Sequence, residues 1–139
     1  MSTREPLQDS DTAHCIKNCF TCHRVCLETL HYCLSQKNTH FQGRHIAVLQ
    51  LCAEASELSA KMMIADIPFH RQSCVLSFEL SNACAEECER YEDDAEMRRC
   101  AEICRNCAES CRGMMGTAVN IPRSTSASGR GQRPQEINQ

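Results

Sequence analysis

Along most of the chain, small or soft side chains return every three or four residues, with charged and amide residues between them. Positions at that spacing share one face of an α-helix, and alternating steps of three and four mark the inward face of a helical bundle. One such run is Cys15, Cys19, Cys22, Cys26, Thr29 and Cys33. A second is His45, Val48, Cys52, Ala55, Ser59 and Met62. A third is His70, Cys74, Ser77, Ser81, Cys84, Cys88 and Tyr91, and a fourth is Met97, Cys100, Cys104, Cys107, Cys111 and Met114. β-Branched residues are sparse and no period-two alternation persists, so no strand is predicted.

Turn and cap chemistry separates the runs. Asp9-Ser10-Asp11-Thr12 offers several N-cap residues and predicts a first helix over about 11–36. The polar Ser35-Gln36-Lys37-Asn38 stretch precedes a second helix over about 39–65. Pro68 fits the first turn of a third helix, about 68–91, because proline is tolerated there and not in a helix interior. Glu92-Asp93-Asp94 caps a fourth, about 94–115, which Gly113 or Gly116 can close. Four helices of similar length with short connections predict an all-α, antiparallel up-down-up-down four-helix bundle over 11–116 with a cysteine-lined core. Residues 1–10 read as a short polar segment. Residues 117–139 are rich in Ser, Gly, Pro and Arg, have almost nothing to bury, and read as a disordered tail.

The first helix carries a second stripe: Ile16, Phe20, His23, Leu27, Leu30 and Leu34. It fits either packing against a neighbouring helix or a subunit interface. The 139 residues suit one domain, and a net charge of −3 gives no electrostatic reason to bind nucleic acid or an anionic membrane. MSTREPLQDSD at the start has no basic region, apolar core or cleavage site, and no apolar run is long enough for a bilayer. A cytoplasmic location is expected.

Composition changes the picture most through cysteine. Thirteen thiols in 139 residues is the density of small secreted disulfide scaffolds. Yet no export signal is read, the count is odd, and the cytosol keeps thiols reduced, which points to metal binding or redox chemistry rather than to staples. A single buried cysteine such as Cys52 behaves as a small hydrophobe. A core built largely of Cys, Ser and Ala, however, fills space poorly beside one of Leu and Ile. All thirteen cysteines fall on the inward stripes, so Cys15, Cys19, Cys22, Cys26, Cys33, Cys52, Cys74, Cys84, Cys88, Cys100, Cys104, Cys107 and Cys111 are candidate metal ligands.

Residues three or four apart on a helix have Cβ atoms about 5–6 Å apart, close enough for two thiolates to grip one ion. Soft thiolates select Cu(I), Zn(II) or iron–sulfur clusters. Zinc prefers closed quartets, into which continuous stripes do not divide cleanly. The C-x3-C-x2-C-x3-C spacing of Cys100–Cys111 departs from the bacterial ferredoxin run and lacks its proline. Cu(I) accepts two or three sulfurs and tolerates bridging thiolates, so several Cu(I) ions match a sulfur-lined tube best.

With CIKNCFTCHRVC (Cys15–Cys26) and CAEICRNCAESC (Cys100–Cys111) as its clearest motifs, the chain resembles the bacterial four-helix-bundle copper storage proteins over about 11–115. That resemblance implies many Cu(I) ions held by thiolates inside the bundle and a homotetramer; with no export signal read, the chain looks like the cytosolic branch of the family, and a copper chaperone or acceptor protein is a candidate exchange partner. The second helix is poorer in thiols than a fully lined tube.

Antiparallel packing gathers Cys15, Met62, Met63, His70, Cys111, Met114 and Met115 at one end, and Cys33, His45, Cys88, Tyr91, Met97 and Cys100 at the other. Met62, His70 and Met114 are candidate ligands at a mouth that captures and passes on Cu(I); for the methionines the alternative is ordinary core filling. His14, His23, His31 and His40 fall off the inward register and read as solvated, and His45 either caps the far end or is hydrogen-bonded there. A thiol redox protein stays open through the CxxC pairs Cys19/Cys22 and Cys104/Cys107, although such motifs usually start a helix beside a βαβ unit. A zinc or mixed-metal buffer using the same thiols also stays open. No catalytic triad, phosphate loop or nucleotide fingerprint is present, and adjacent carboxylates such as Glu86-Glu87 read as solvated faces.

Overall fold

A computed structural model describes residues 10–36 and 43–115. They form α1 (Ser10–Ser35), α2 (Gly43–Ala65), α3 (His70–Glu89) and α4 (Ala95–Met115), with no strand among them. The expected N-terminal segment, the start of the second helix before Gly43 and the tail from Thr117 lie outside the described residues. Around the bundle α1 packs on α2 and α4, and α3 packs on α2 and α4.

Contacts across each pair show the antiparallel order. Cys15 near the start of α1 meets Cys111 near the end of α4, with their sulfurs 3.9 Å apart. The Tyr32 hydroxyl near the end of α1 donates to Asp94 Oδ2 ahead of α4 at 2.6 Å. His45 at the start of α2 meets Cys88 at the end of α3.

Local chemistry sets the helix ends. Asp66 closes α2 at φ 58°, the left-handed conformation in which an Asp is far better tolerated than a bulky residue. The chain then turns through Ile67–Pro68–Phe69, with the His70 amide donating to the Ile67 carbonyl at 3.2 Å. Pro68 therefore belongs to the turn, and α3 starts two residues later than the sequence pattern suggests, without a side-chain cap. Asp94 caps α4: its Oδ1 accepts from the Glu96 and Met97 amides at 2.9 and 3.2 Å. Gly113 does not close that helix but lies inside it.

The interior is unusual in what fills it. All thirteen cysteines are buried and free of disulfides. Large buried side chains are few, chiefly Leu49, Met63, Met97, His45 and Val25, and apart from Val48, Thr29 and Glu87 the rest of the core is Cys, Ala and Ser. The second stripe of α1 divides: Ile16, Leu27 and Leu30 pack against the core from its edge, whereas Phe20 and Leu34 stay exposed.

Candidate metal centre

Each helix contributes its inward stripe in register, so the sulfurs meet along one axis. At the Cys15 end, Cys15, Cys74 and Cys111 form a trio, and Cys19, Cys107 and Cys111 form a second that shares Cys111. Further along come the quartets Cys22, Cys26, Cys52, Cys104 and Cys26, Cys84, Cys100, Cys104, which share Cys26 and Cys104. Within each set all sulfurs lie within 4.8 Å of one another. Neighbouring sulfurs such as Cys19–Cys111, Cys22–Cys52 and Cys26–Cys104 are 3.6, 3.7 and 3.7 Å apart. These spacings suit ions seated between thiolates, and the shared members join the two trios into one group and the two quartets into another along the same axis.

The thiols differ in proton affinity because each sits in its neighbours' field. Hydrogen bonding with Cys104 is the main cause that lowers Cys22 and Cys52 to about 6 each. Cys104 goes up, chiefly through Cys100, whereas Cys100 goes down, chiefly through Cys104. One member of such a pair keeps the proton that stabilises the other's thiolate. Cys33, away from these sets, is pushed up to about 12 by burial first.

α2 and α3 line their share of the track with hydroxyls. Ser77 Oγ lies 3.4 Å from both Cys111 Sγ and Ser56 Oγ, and 3.8 Å from Cys107 Sγ. Ser81 Oγ is 3.6 Å from Cys52 Sγ, and Ser59 Oγ is 3.2 Å from Cys74 Sγ. Ser59, Ser77 and Ser81 stand on the expected stripes, while Ser56 and Ser73, also buried, do not.

The methionines at the Cys15 end distribute differently from expectation. Met63, not Met62, takes the fully buried position, and Met62, Met114 and Met115 are half-buried. Met114 Sδ accepts from the Thr12 hydroxyl at 3.6 Å, which ties the end of α4 to the start of α1. His70 is half-buried and its Nδ1, shielded from water, has no hydrogen-bond partner.

At the other end, His45 is fully buried with Nε2 3.3 Å from Cys88 Sγ, and its ring stacks on Tyr91 at 5.6 Å. Cys33 and Cys88 belong to none of the all-sulfur sets. Glu87 corrects the sequence reading: it is not a solvated carboxylate but is buried, held by Arg44 at 2.9 Å and Arg90 at 3.5 Å. Its sequence carried no signal of this, because Arg44 arrives from another helix. Of the four histidines read as solvated, His14 and His31 are exposed, His40 lies outside the described residues, and His23 is half-buried with Nδ1 2.8 Å from the Ala53 carbonyl oxygen.

Comparison with known proteins adds the family. Residues 8–116 match the family model described as copper storage protein. An uncharacterized cysteine-rich protein of Bacillus subtilis strain 168, YhjQ, is 33% identical over 98 residues, covering 66% of this chain and 91% of that one. The Cu(I)-bound copper storage protein BsCsp3 superposes with a TM-score of 0.73 at 31% identity, over 77% of this chain and all (100%) of that one. Apo copper storage protein 3 from Bacillus subtilis gives 0.69 at 32% identity, over 76% and 99% of the two chains.

Proposed function

Because the chain belongs to the copper storage protein family, we propose that it sequesters several Cu(I) ions per chain as cysteine thiolates inside the bundle. The observation that carries this reading is the set of buried sulfurs arranged in overlapping trios and quartets along one axis. Each thiol that binds loses its proton to solvent as the S–Cu bond forms, and copper stays Cu(I) throughout. The role is storage, not catalysis.

Geometry favours Cu(I) over zinc. Two independent tetrahedral zinc sites need eight ligands, but the two quartets share Cys26 and Cys104. Cu(I), with two or three sulfurs and bridging thiolates, uses such a track without leaving a donor idle. Thirteen free thiols fit a reducing compartment, which supports a cytoplasmic site of action.

Ions pass through the Cys15 end in this reading. There the half-buried Met62, His70 and Met114 offer thioether and imidazole donors, weaker than thiolate and so suited to exchange with a copper chaperone or acceptor protein. Exposed apolar side chains, among them Leu34 at 64%, Leu51 and Leu58 of one α2 face, and Leu76, support assembly into a homotetramer.

Anaerobic titration of the reduced apo-protein with Cu(I) against a competing chelator tests the reading. Tight uptake of several ions with helicity unchanged is the expected result. A reversible two-electron thiol–disulfide couple without such uptake, or zinc that Cu(I) does not displace, would overturn it.

A further inference from the structure

We propose that the end of the bundle opposite the methionines carries a Cu(I) site of mixed donors, His45 Nε2 and Cys88 Sγ, separate from the all-sulfur sets. The inference rests on the storage reading above and adds a ligand that the cysteine pattern does not contain.

Three features of the fold build this site. His45 stands at a position of the inward stripe of α2 where cysteine stands on the other helices, is fully buried, and points Nε2 at Cys88 Sγ from 3.3 Å. Tyr91 stacks on the ring with the planes only 14° apart, which fixes its orientation. Cys88, also fully buried, lies outside every all-sulfur set, at the edge of the track beside Cys84 and Cys100. At bond lengths near those zinc makes to these donors, about 2.0–2.1 Å to nitrogen and about 2.3 Å to sulfur, a two-coordinate ion with its donors in line sets them about 4.3 Å apart. The observed pair, at 3.3 Å, therefore opens by about 1 Å on loading.

Electrostatics explains why this end uses imidazole. A Cu(I) ion between two thiolates leaves one net negative charge buried, whereas a thiolate with a neutral imidazole leaves none. Burying uncompensated charge is costly. Here the next residue, Glu87, already places a carboxylate in the interior, clamped by Arg44 and Arg90. On loading, the Cys88 thiol gives its proton to solvent, Cu–S and Cu–N bonds form, and no electron is transferred.

The test uses the full chain, reduced and anaerobic, with Cu(I) and a competing chelator. His45→Phe keeps a ring to stack on Tyr91 but offers no donor, and uptake should fall by about one ion per chain while the remaining uptake stays tight. His45→Cys should restore that ion. In the unsubstituted protein labelled with 15N-histidine, Cu(I) should move the His45 Nε2 resonance and leave that of exposed His31 unmoved. Full uptake by His45→Phe, or a His45 resonance that never moves at saturation, would overturn the proposal and leave storage by the sulfur track intact. Absence of Cu(I) uptake by the unsubstituted protein would instead remove the storage reading itself. The resonance measurement decides the matter even where a variant fails to fold.

Discussion

Cys26 and Cys104 each belong to two ligand sets, whereas Cys52 belongs to one. Replacing Cys104 by Ala should therefore cost about two ions of Cu(I) uptake and replacing Cys52 about one, as read by chelator competition, because each set loses a soft donor. Proton affinity gives a second expectation for the reduced apo-protein. Cys22 and Cys52, lowered to about 6 from 9.0, ionise in the folded chain before they do in the unfolded one. A lowered thiol adds stability that is complete above 9.0 and is lost as pH falls through about 6. Cys33, raised to about 12, acts oppositely and subtracts stability only as pH rises above 9.0. The urea midpoint of apo-protein should climb from pH 6 towards pH 9 and fall beyond it; a flat profile over that window contradicts the assignment. That each cysteine faces inward was legible in the spacing. Which sulfurs share an ion was not, since this depends on the axial stagger between helices, and Glu87 was misread for the same reason.

Among the elements, α1 and α4 supply most of the thiols, while α2 and α3 meet them with hydroxyls. Ser77 stands 3.4 Å from Cys111 Sγ and 3.8 Å from Cys107 Sγ, in the position of a missing ligand. Ser77→Cys should raise Cu(I) capacity above the parent's, measured by the same competition, and Ser77→Ala should leave capacity unchanged. Cap chemistry makes a separate expectation: Asp94→Ala removes the acceptor for two α4 amides and for the Tyr32 hydroxyl, and should destabilise apo-protein by about 2 kcal/mol in urea unfolding, without changing copper capacity. The four helices and their inward faces were readable because steps of three and four persist over five or six turns, a signal that chance rarely produces. Ends were less so. Pro68 is compatible with both a first helical turn and a preceding turn, and the left-handed Asp66 decides between them by sending the chain through an extra turn before α3. Gly113 failed as a stop because a glycine closes a helix only where the backbone turns left-handed, and here it continues in helix.

At the scale of the whole molecule, the interior exchanges apolar filling for cargo. Leu49, Met63, Met97, His45 and Val25 head the fully buried side chains by volume, and among the described residues no isoleucine or phenylalanine joins them. Small side chains bury little area each, and apolar burial contributes only about 25 cal/mol per Å², so the apo bundle holds together with less than a Leu/Ile core would supply. Surface pairs such as Arg105–Glu89 and Arg99–Glu28 do not make up the difference, because exposed pairs are worth little. In the proposed reading Cu(I) bridges cysteines of different helices, and a ligand that binds only the folded chain stabilises it by about 2.7 kcal/mol per site at a hundredfold excess over Kd. For a bundle of this size that corresponds to a rise in Tm on the order of 10 °C or more for each such site. Loading should thus raise Tm steeply with each equivalent, and an excess of competing chelator should return it to the apo value. The converse variant separates cargo from packing. Cys26→Leu with Cys104→Leu replaces two central donors with hydrocarbon, so it should flatten the dependence of Tm on copper. A variant that kept the full copper-dependent rise would mean that the central sulfurs are filling and that the metal is held elsewhere.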